Sequence, residues 1–169
     1  ITIERPEGKA EGVAWGAIFV ESLNVVKEIN KEKSGTFGLK VRYAITLLQS
    51  DPSFNDLNGK IANISTKVEK AKKKNNKSVF INATFKNLCR DIVEAKPRFE
   101  IRNKKGEIIK KKSTDNKWVL PNHKRNIQAQ FELTSSNQNQ YLVVVIVDYG
   151  GGNLAGGQYL LNMKNTKNK

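Results

Sequence analysis

The chain of 169 residues contains a single cysteine, Cys89, and a single histidine, His123. One cysteine excludes an internal disulfide, and a zinc site of His and Cys ligands needs more of these residues than the chain has. A histidine-activated nucleophile would have to use His123, which stands in a polar turn at residues 120–124 and is interpreted as a solvated loop residue. We therefore predict no catalytic residue, no metal site and no cofactor, and a protein that is not an enzyme.

The chain also lacks long apolar runs. No stretch approaches the roughly 18 apolar residues that a membrane-spanning helix needs, so we predict no transmembrane segment. The first four residues, from Ile1 to Glu4, have neither the basic start nor the apolar run of a signal peptide, and no initiator Met is present. We expect the chain to be a fragment of a longer protein.

What the sequence does have is strand-like alternation. Apolar and polar side chains alternate over residues 78–86, where Phe80 is the one exception on the polar face, and again over 97–103 and 126–133. A period of two predicts strands with one face on a core. The run 141–147 is apolar on both faces, which predicts a central strand that is covered on both sides. Three glycines, Gly150 to Gly152, then predict a tight hairpin turn because they tolerate positive φ angles.

Seven strands and a short eighth are predicted after residue 58. They run over 60–70, 78–88, 95–103, 107–113, 117–120, 126–133, 141–149 and 157–163. This number of short strands, separated by frequent turns, is typical of an immunoglobulin-like (Ig-like) β-sandwich. We predict an all-β chain with a complete Ig-like sandwich at 60–165 and a basic tail at 166–169.

The first part of the chain differs from the rest. Two strands are predicted at 12–22 and 38–49, followed by a linker rich in turn-forming residues at 51–59. An isolated hairpin is only marginally stable in water. We therefore predict that residues 1–50 are the last hairpin of a preceding, incomplete Ig-like domain.

This arrangement resembles the periplasmic pilus-assembly chaperone family, whose members carry two Ig-like domains in tandem. The resemblance lies in the segment from Arg5-Pro6 through Gly12 to Glu21, in residues 38–45, and in the closing segment 141–151 with Leu154-Ala155-Gly156. It implies a periplasmic or extracellular protein of the cell envelope whose partner is a pilin-like or envelope subunit. Most of the first domain, including the region where the family places an arginine for the subunit's carboxylate, is absent from the chain.

In the family, the last strand of the first domain offers alternating apolar side chains to a protein partner, and a lysine on it anchors a carboxylate. The resemblance implies a partner-binding strand here, with Lys40 or Arg42 in the place of the anchor. Its candidate residues are Leu39, Lys40, Val41, Arg42, Tyr43, Ile45 and Leu47. The alternative is that these apolar side chains face their own core.

The positive charge is concentrated in one part of the chain. The formal net charge is +14, and residues 60–125 hold 20 Lys and Arg against 6 Asp and Glu. A candidate basic patch consists of Lys72, Lys73, Lys74, Lys104, Lys105, Lys110, Lys111 and Lys112. Such a field attracts an anionic polysaccharide or membrane surface, which makes adhesion through this patch the alternative function. Nucleic acid is disfavoured, because lysine far outnumbers arginine and no exposed aromatic run accompanies it. The lysines are equally explained by a solvated surface.

Overall fold

The computed structural model describes residues 14–21, 41–49, 57–72, 76–134 and 139–163. The chain divides into two units, residues 1–50 and residues 51–169. In the first unit, strand β1 (Ala14–Glu21) pairs antiparallel with strand β2 (Arg42–Gln49). The two strands predicted before residue 50 are thus confirmed over the described residues. That this hairpin belongs to a preceding Ig-like domain stays a prediction.

The second unit contains eight strands, close to those predicted. They are β3 (Gly59–Lys70), β4 (Asn76–Asn87), β5 (Val93–Arg102), β6 (Ile108–Ser113), β7 (Lys117–Val119), β8 (Lys124–Thr134), β9 (Gln140–Asp148) and β10 (Leu154–Asn162). One sheet has the order β3-β4-β8, and the other has the order β10-β9-β5-β6, with β7 also pairing with β5. No helix occurs in the described ranges. The predicted all-β, Ig-like sandwich is confirmed.

The core lies between the two sheets and follows the alternation in the sequence. Nearly every second side chain of β4, β8, β5 and β9 is buried, and most of the intervening ones are more exposed. The fully buried side chains include Val79, Ile81 and Phe85 of β4, Phe99 and Ile101 of β5, and Val143, Val145 and Val147 of β9. Burial of such side chains contributes about 1.5–3 kcal/mol each, and it fixes which face of each strand points inward.

A proline lies in the middle of a central strand and has a specific place there. Strand β5 pairs with β7 at Val93–Ala95 and with β6 from Arg98 onwards, and Pro97 lies between these two pairings. Proline has no N–H to donate to a neighbouring strand, so it is tolerated where the neighbour changes. Its carbonyl still accepts a hydrogen bond from the Thr114 amide at 3.1 Å.

The last hairpin turns as predicted. Gly150, Gly151 and Gly152 all have positive φ angles, of 101°, 59° and 78°. The Asp148 carboxylate accepts a hydrogen bond from the Gly150 amide, and the Asn153 amide closes the turn onto the Gly150 carbonyl at 2.9 Å.

The prediction that β9 is covered on both sides was wrong for the described part of the chain. The strand is central, between β10 and β5. Its outward side chains, Leu142, Val144 and Ile146, are nevertheless only half-buried. The physical reason is that neighbouring side chains in the same sheet shield them laterally, while the described residues place no further layer over them.

Two predicted segments at the ends of the sandwich fall partly outside the described residues. Of the linker predicted at 51–59, residues 51–56 lie outside them, whereas Leu57 packs against the core and Gly59 is the first residue of β3. A Cβ on Gly59 would lie 2.7 Å from the Phe85 ring, so this strand start requires glycine. The predicted basic tail at 166–169 also lies outside the described residues.

Candidate binding surfaces

The β1–β2 hairpin is apolar on both faces. Residues opposite each other in the register share a face, so Ile18 lies beside Ile45 on one face and Trp15 beside Leu48 on the other. The relative exposures are 63% for Trp15, 64% for Phe19 and 63% for Tyr43. Strand-forming side chains of this type are ordinarily buried, so this exposed apolar hairpin is a candidate interaction surface.

The candidate partner-binding strand coincides with β2. Tyr43, Ile45 and Leu47 share one face of β2, while Leu39 and Lys40 lie outside the described residues and Val41 immediately precedes the strand. Within the described ranges β2 pairs only with β1, so its other edge carries no neighbouring strand. The structure thus brings together Tyr43, Ile45 and Leu47 of the predicted set on one face of this strand.

Arg42 is placed differently from these apolar residues. It lies opposite Glu21, and its guanidinium contacts the Glu21 carboxylate at 2.9 Å. It also lies 6.0 Å from the centre of the Phe19 ring, a cation–π distance. Arg42 therefore stabilises the hairpin across the face opposite to that of Tyr43.

Five of the eight lysines in the predicted basic patch lie on a single hairpin. Lys104 and Lys105 form the turn between β5 and β6, and Lys110, Lys111 and Lys112 lie on β6. The Asn103 side chain holds this turn, because its oxygen accepts hydrogen bonds from the amides of residues 105 and 107. Lys72 follows β3 in the other sheet, and Lys73 and Lys74 lie outside the described residues.

All six residues of β6 are exposed, although the strand belongs to the sandwich. Lys110 lies opposite Ile101 and Lys112 opposite Phe99, so both lysines are on the core-facing side of their sheet. Lys111 lies opposite Glu100 on the outer side. Because Ile101 and Phe99 are fully buried while their neighbours on β6 are exposed, β6 extends beyond the cover of the opposite sheet.

The outer face of the five-stranded sheet contains a buried ion cluster that the sequence pattern did not reveal. Glu100 is only 3% exposed, and its carboxylate accepts a hydrogen bond from Nε of Arg102 at 2.9 Å. Nε of Arg98 lies 3.2 Å from the same carboxylate. These residues alternate along β5 and therefore share a face. The cluster neutralises a carboxylate that would otherwise be costly to bury.

A depression lies on the outer face of the three-stranded sheet, and the sequence pattern did not predict it either. It has a volume of about 580 Å³ and includes Lys112, which reaches it from β6. Lys67, Phe80 and Gln130 lie side by side across β3, β4 and β8, and Asn82 lies beside Gln128 in the next row. The one sequence clue was Phe80, the aromatic residue on an otherwise polar face.

The single cysteine and the single histidine lie at separate places in the fold. Within the described ranges no three His, Cys, Asp or Glu residues are arranged to hold a metal ion. Cys89 is buried, and its sulfur contacts the backbone of Asn58 at 3.1 Å. His123 is exposed in a turn, where Nδ1 lies 2.7 Å from the Pro121 carbonyl. No helix long and apolar enough to span a membrane occurs among the described residues.

Comparison with known proteins relates the chain to others by fold alone. No protein-family model and no curated protein matches the sequence. A β-glucuronidase from glycoside hydrolase family 2 has a TM-score of 0.53 and 9% identity over 59% of this chain. A candidate β-galactosidase from Bacteroides fragilis has a TM-score of 0.50 and 12% identity over 59% of this chain. The chain spans only 11% and 16% of these two proteins.

Proposed function

We propose that this chain is a non-enzymatic Ig-like protein of the cell envelope, periplasmic or extracellular, that binds a protein partner by adding a strand to the edge of β2. A strand added in this way gains main-chain hydrogen bonds for affinity, and its alternate side chains contact the recognising face. The partner chemistry is that of an extended segment with alternating apolar residues, as in a pilin-like subunit.

The observation that supports this function best is the hairpin itself. Its β2 strand has an edge without a neighbour in the described residues, and Tyr43 and Ile45 are exposed beside that edge at 63% and 51%. Natural proteins ordinarily protect such edges with charge, proline or a covering element. Leaving an apolar strand uncovered favours a partner that covers it.

The test measures binding of a strand-length synthetic peptide with alternating apolar and polar residues. Fluorescence anisotropy compares this peptide with an isomer whose apolar residues are grouped into one block. We expect only the alternating peptide to bind. We expect its affinity to persist from about 0.1 M to about 1 M salt, because the contact is apolar rather than electrostatic.

Matched variants separate the recognising face from general effects on the strand. Ile45→Lys places a charge on the face of Tyr43, whereas Thr46→Lys places the same charge on the opposite, exposed face of β2. Loss of binding in Ile45→Lys and retention in Thr46→Lys supports the proposal. Equal binding by both variants, or equal binding of both peptides, contradicts it.

A second candidate function is adhesion to an anionic polymer through the β5–β6 hairpin, called the basic hairpin here. The observation in its favour is that five lysines lie on the β5–β6 hairpin and that β6 is exposed along its whole length. Lysine side chains in such an arrangement raise the local concentration of polyanions. Because screening shortens the reach of charge to about 3 Å at 1 M salt, this binding must be strongly dependent on salt.

Retention on a heparin column tests the second candidate. We expect the variant with Lys104, Lys105, Lys110 and Lys111 all changed to Ala to elute at much lower salt than the unchanged chain. The control variant is Lys60→Ala with Lys86→Ala, which removes a pair of opposite lysines from the other sheet. Equal elution of the four-lysine variant and the unchanged chain excludes this function.

A further inference from the structure

We propose that the depression on the outer face of the three-stranded sheet is a carbohydrate-binding site for a chain of neutral sugars. It is formed by other residues than those of the β2 edge and goes beyond the protein-binding function. Its volume of about 580 Å³ lies within the range of about 300–1,000 Å³ that is common for ligand sites.

The polar side chains of the depression match the chemistry of sugar hydroxyls. Asn82, Gln128 and Gln130 line it, and each is exposed. An amide side chain carries both a donor NH₂ group and an acceptor oxygen, so it can pair with a hydroxyl that donates and accepts. Three amides on adjacent positions of two paired strands therefore offer a row of donors and acceptors.

Phe80 gives the depression an apolar element. It is half-buried and lies between Lys67 on one side and Gln130 on the other in the same cross-strand row. The carbon-bound hydrogens of a sugar ring form an apolar face, and aromatic rings bury such faces favourably. An aromatic ring among amides suits a ligand that is polar at its edges and apolar on its faces.

The charges of the depression favour a neutral ligand. Lys67 forms an ion pair with Glu69 at 2.7 Å, and this carboxylate raises the pKa of Lys67 above its ordinary value. The two charges therefore compensate each other within the depression. None of the ion pairs among the described residues involves Lys112, but a single lysine does not provide the arginine fork or lysine cluster of a phosphate site. These features distinguish the depression from the basic hairpin.

The experiment measures depletion of the complete chain from solution by insoluble neutral polysaccharides: cellulose, chitin, mannan, xylan and a β-1,3-glucan. We expect binding to at least one of them, with the same affinity at about 0.1 M and about 1 M salt, because the ligand carries no charge for salt to screen. Heparin and single-stranded DNA on beads serve as anionic comparisons.

Four variants locate the binding. Phe80→Ala and the double variant Gln128→Ala with Gln130→Ala should each weaken binding about tenfold, which corresponds to about 1.4 kcal/mol. Phe80→Tyr keeps the ring and should bind like the unchanged chain. Gln158→Ala removes an exposed glutamine from the outer face of the other sheet and is the matched control for the two glutamines.

The double glutamine variant keeps the test valid if Phe80→Ala does not fold, because both glutamines are exposed and thermal melting can verify the fold. Absence of binding to all five polysaccharides overturns the proposal. So does binding that is unchanged in the double glutamine variant, or binding to the anionic beads alone that is lost at high salt. Failure of the peptide test at β2 would not affect the polysaccharide result, because Phe80, Gln128 and Gln130 do not belong to the β1–β2 hairpin.

Discussion

Replacement of Asn87 tests how a buried polar side chain holds one end of the sandwich. Asn87 is fully buried at the end of β4, on the face that the strand turns to the core. Its Nδ2 donates to the carbonyls of Asp91, Val119 and Leu120 at 2.7, 2.9 and 3.1 Å. Its oxygen accepts from the Cys89 amide at 2.9 Å. One side chain thus connects the loop at 89–91 to the backbone at the end of β7.

The expected cost of Asn87→Ala follows from the groups that it leaves without partners. The Val119 carbonyl and the Cys89 amide lie at buried positions. The Leu120 carbonyl still accepts a hydrogen bond from the His123 amide at 3.1 Å, and Asp91 is only half-buried. A buried backbone group without a partner costs about 1–3 kcal/mol. We expect a loss of about 2–4 kcal/mol in the free energy of unfolding, a large share of the roughly 5–15 kcal/mol of a typical domain.

Two further variants make the measurement specific. Asn87→Asp keeps the shape and the acceptor for the Cys89 amide, but it places a carboxylate among carbonyl oxygens, so it should destabilise at least as much as Ala. Asn82→Ala, at an exposed position of the same strand, should change stability by less than about 0.5 kcal/mol. Urea denaturation followed by circular dichroism gives all three values. Stability of Asn87→Ala within about 0.5 kcal/mol of the unchanged chain, or a milder effect of Asp than of Ala, refutes the reasoning.

Two other pairs of adjacent residues test the packing by the same denaturation assay. Gly157→Ala would place a Cβ 2.7 Å from an isoleucine side chain of β3 and should lower the free energy of unfolding by about 1–3 kcal/mol. The Cβ of Gly156→Ala meets nothing within 4 Å, so this variant should be nearly neutral. Equal effects would contradict the close packing of β10 on β3. Val145→Ser, at a fully buried position, should destabilise the fold by about 2 kcal/mol or more. Val144→Ser, on the half-buried outer face of β9, should destabilise it clearly less. Similar losses in the two variants would mean that the outer face of β9 is covered.

The sequence predicted the strands well because a single rule, the alternation of burial, governs most of them. The inward side chains of β4 and β8 follow this period without interruption. The rule failed for β9, since apolar outward residues show only that a strand is central and not that a second layer covers it. Its limits also appear at Asn63, whose positive φ of 52° accompanies a bulge in β3 that no periodicity predicts.

The candidate surfaces were predictable only where they lie on one strand. Tyr43 and Ile45 of the β2 edge are neighbours in a single alternating pattern, so the sequence could identify them. The depression depends on the register that sets Phe80 beside Gln130, and register between strands distant in sequence is fixed by packing of the whole core. Asn87 was also predictable in principle. A polar residue at an inward position of an alternating strand is expected to have buried hydrogen-bond partners.

The inward lysines of β6 have a consequence for the solubility of the sandwich. A strand edge that points charges toward the core side of its sheet resists the addition of another chain, because the incoming strand would bury those charges. The opposite edge of this sheet is β10, which carries no charged residue and exposes Leu154 and Leu160 at 62% and 56%. Aggregation of a partly unfolded chain should therefore begin at β10, and a lysine in place of Leu160 should reduce it by placing a charge on this edge strand.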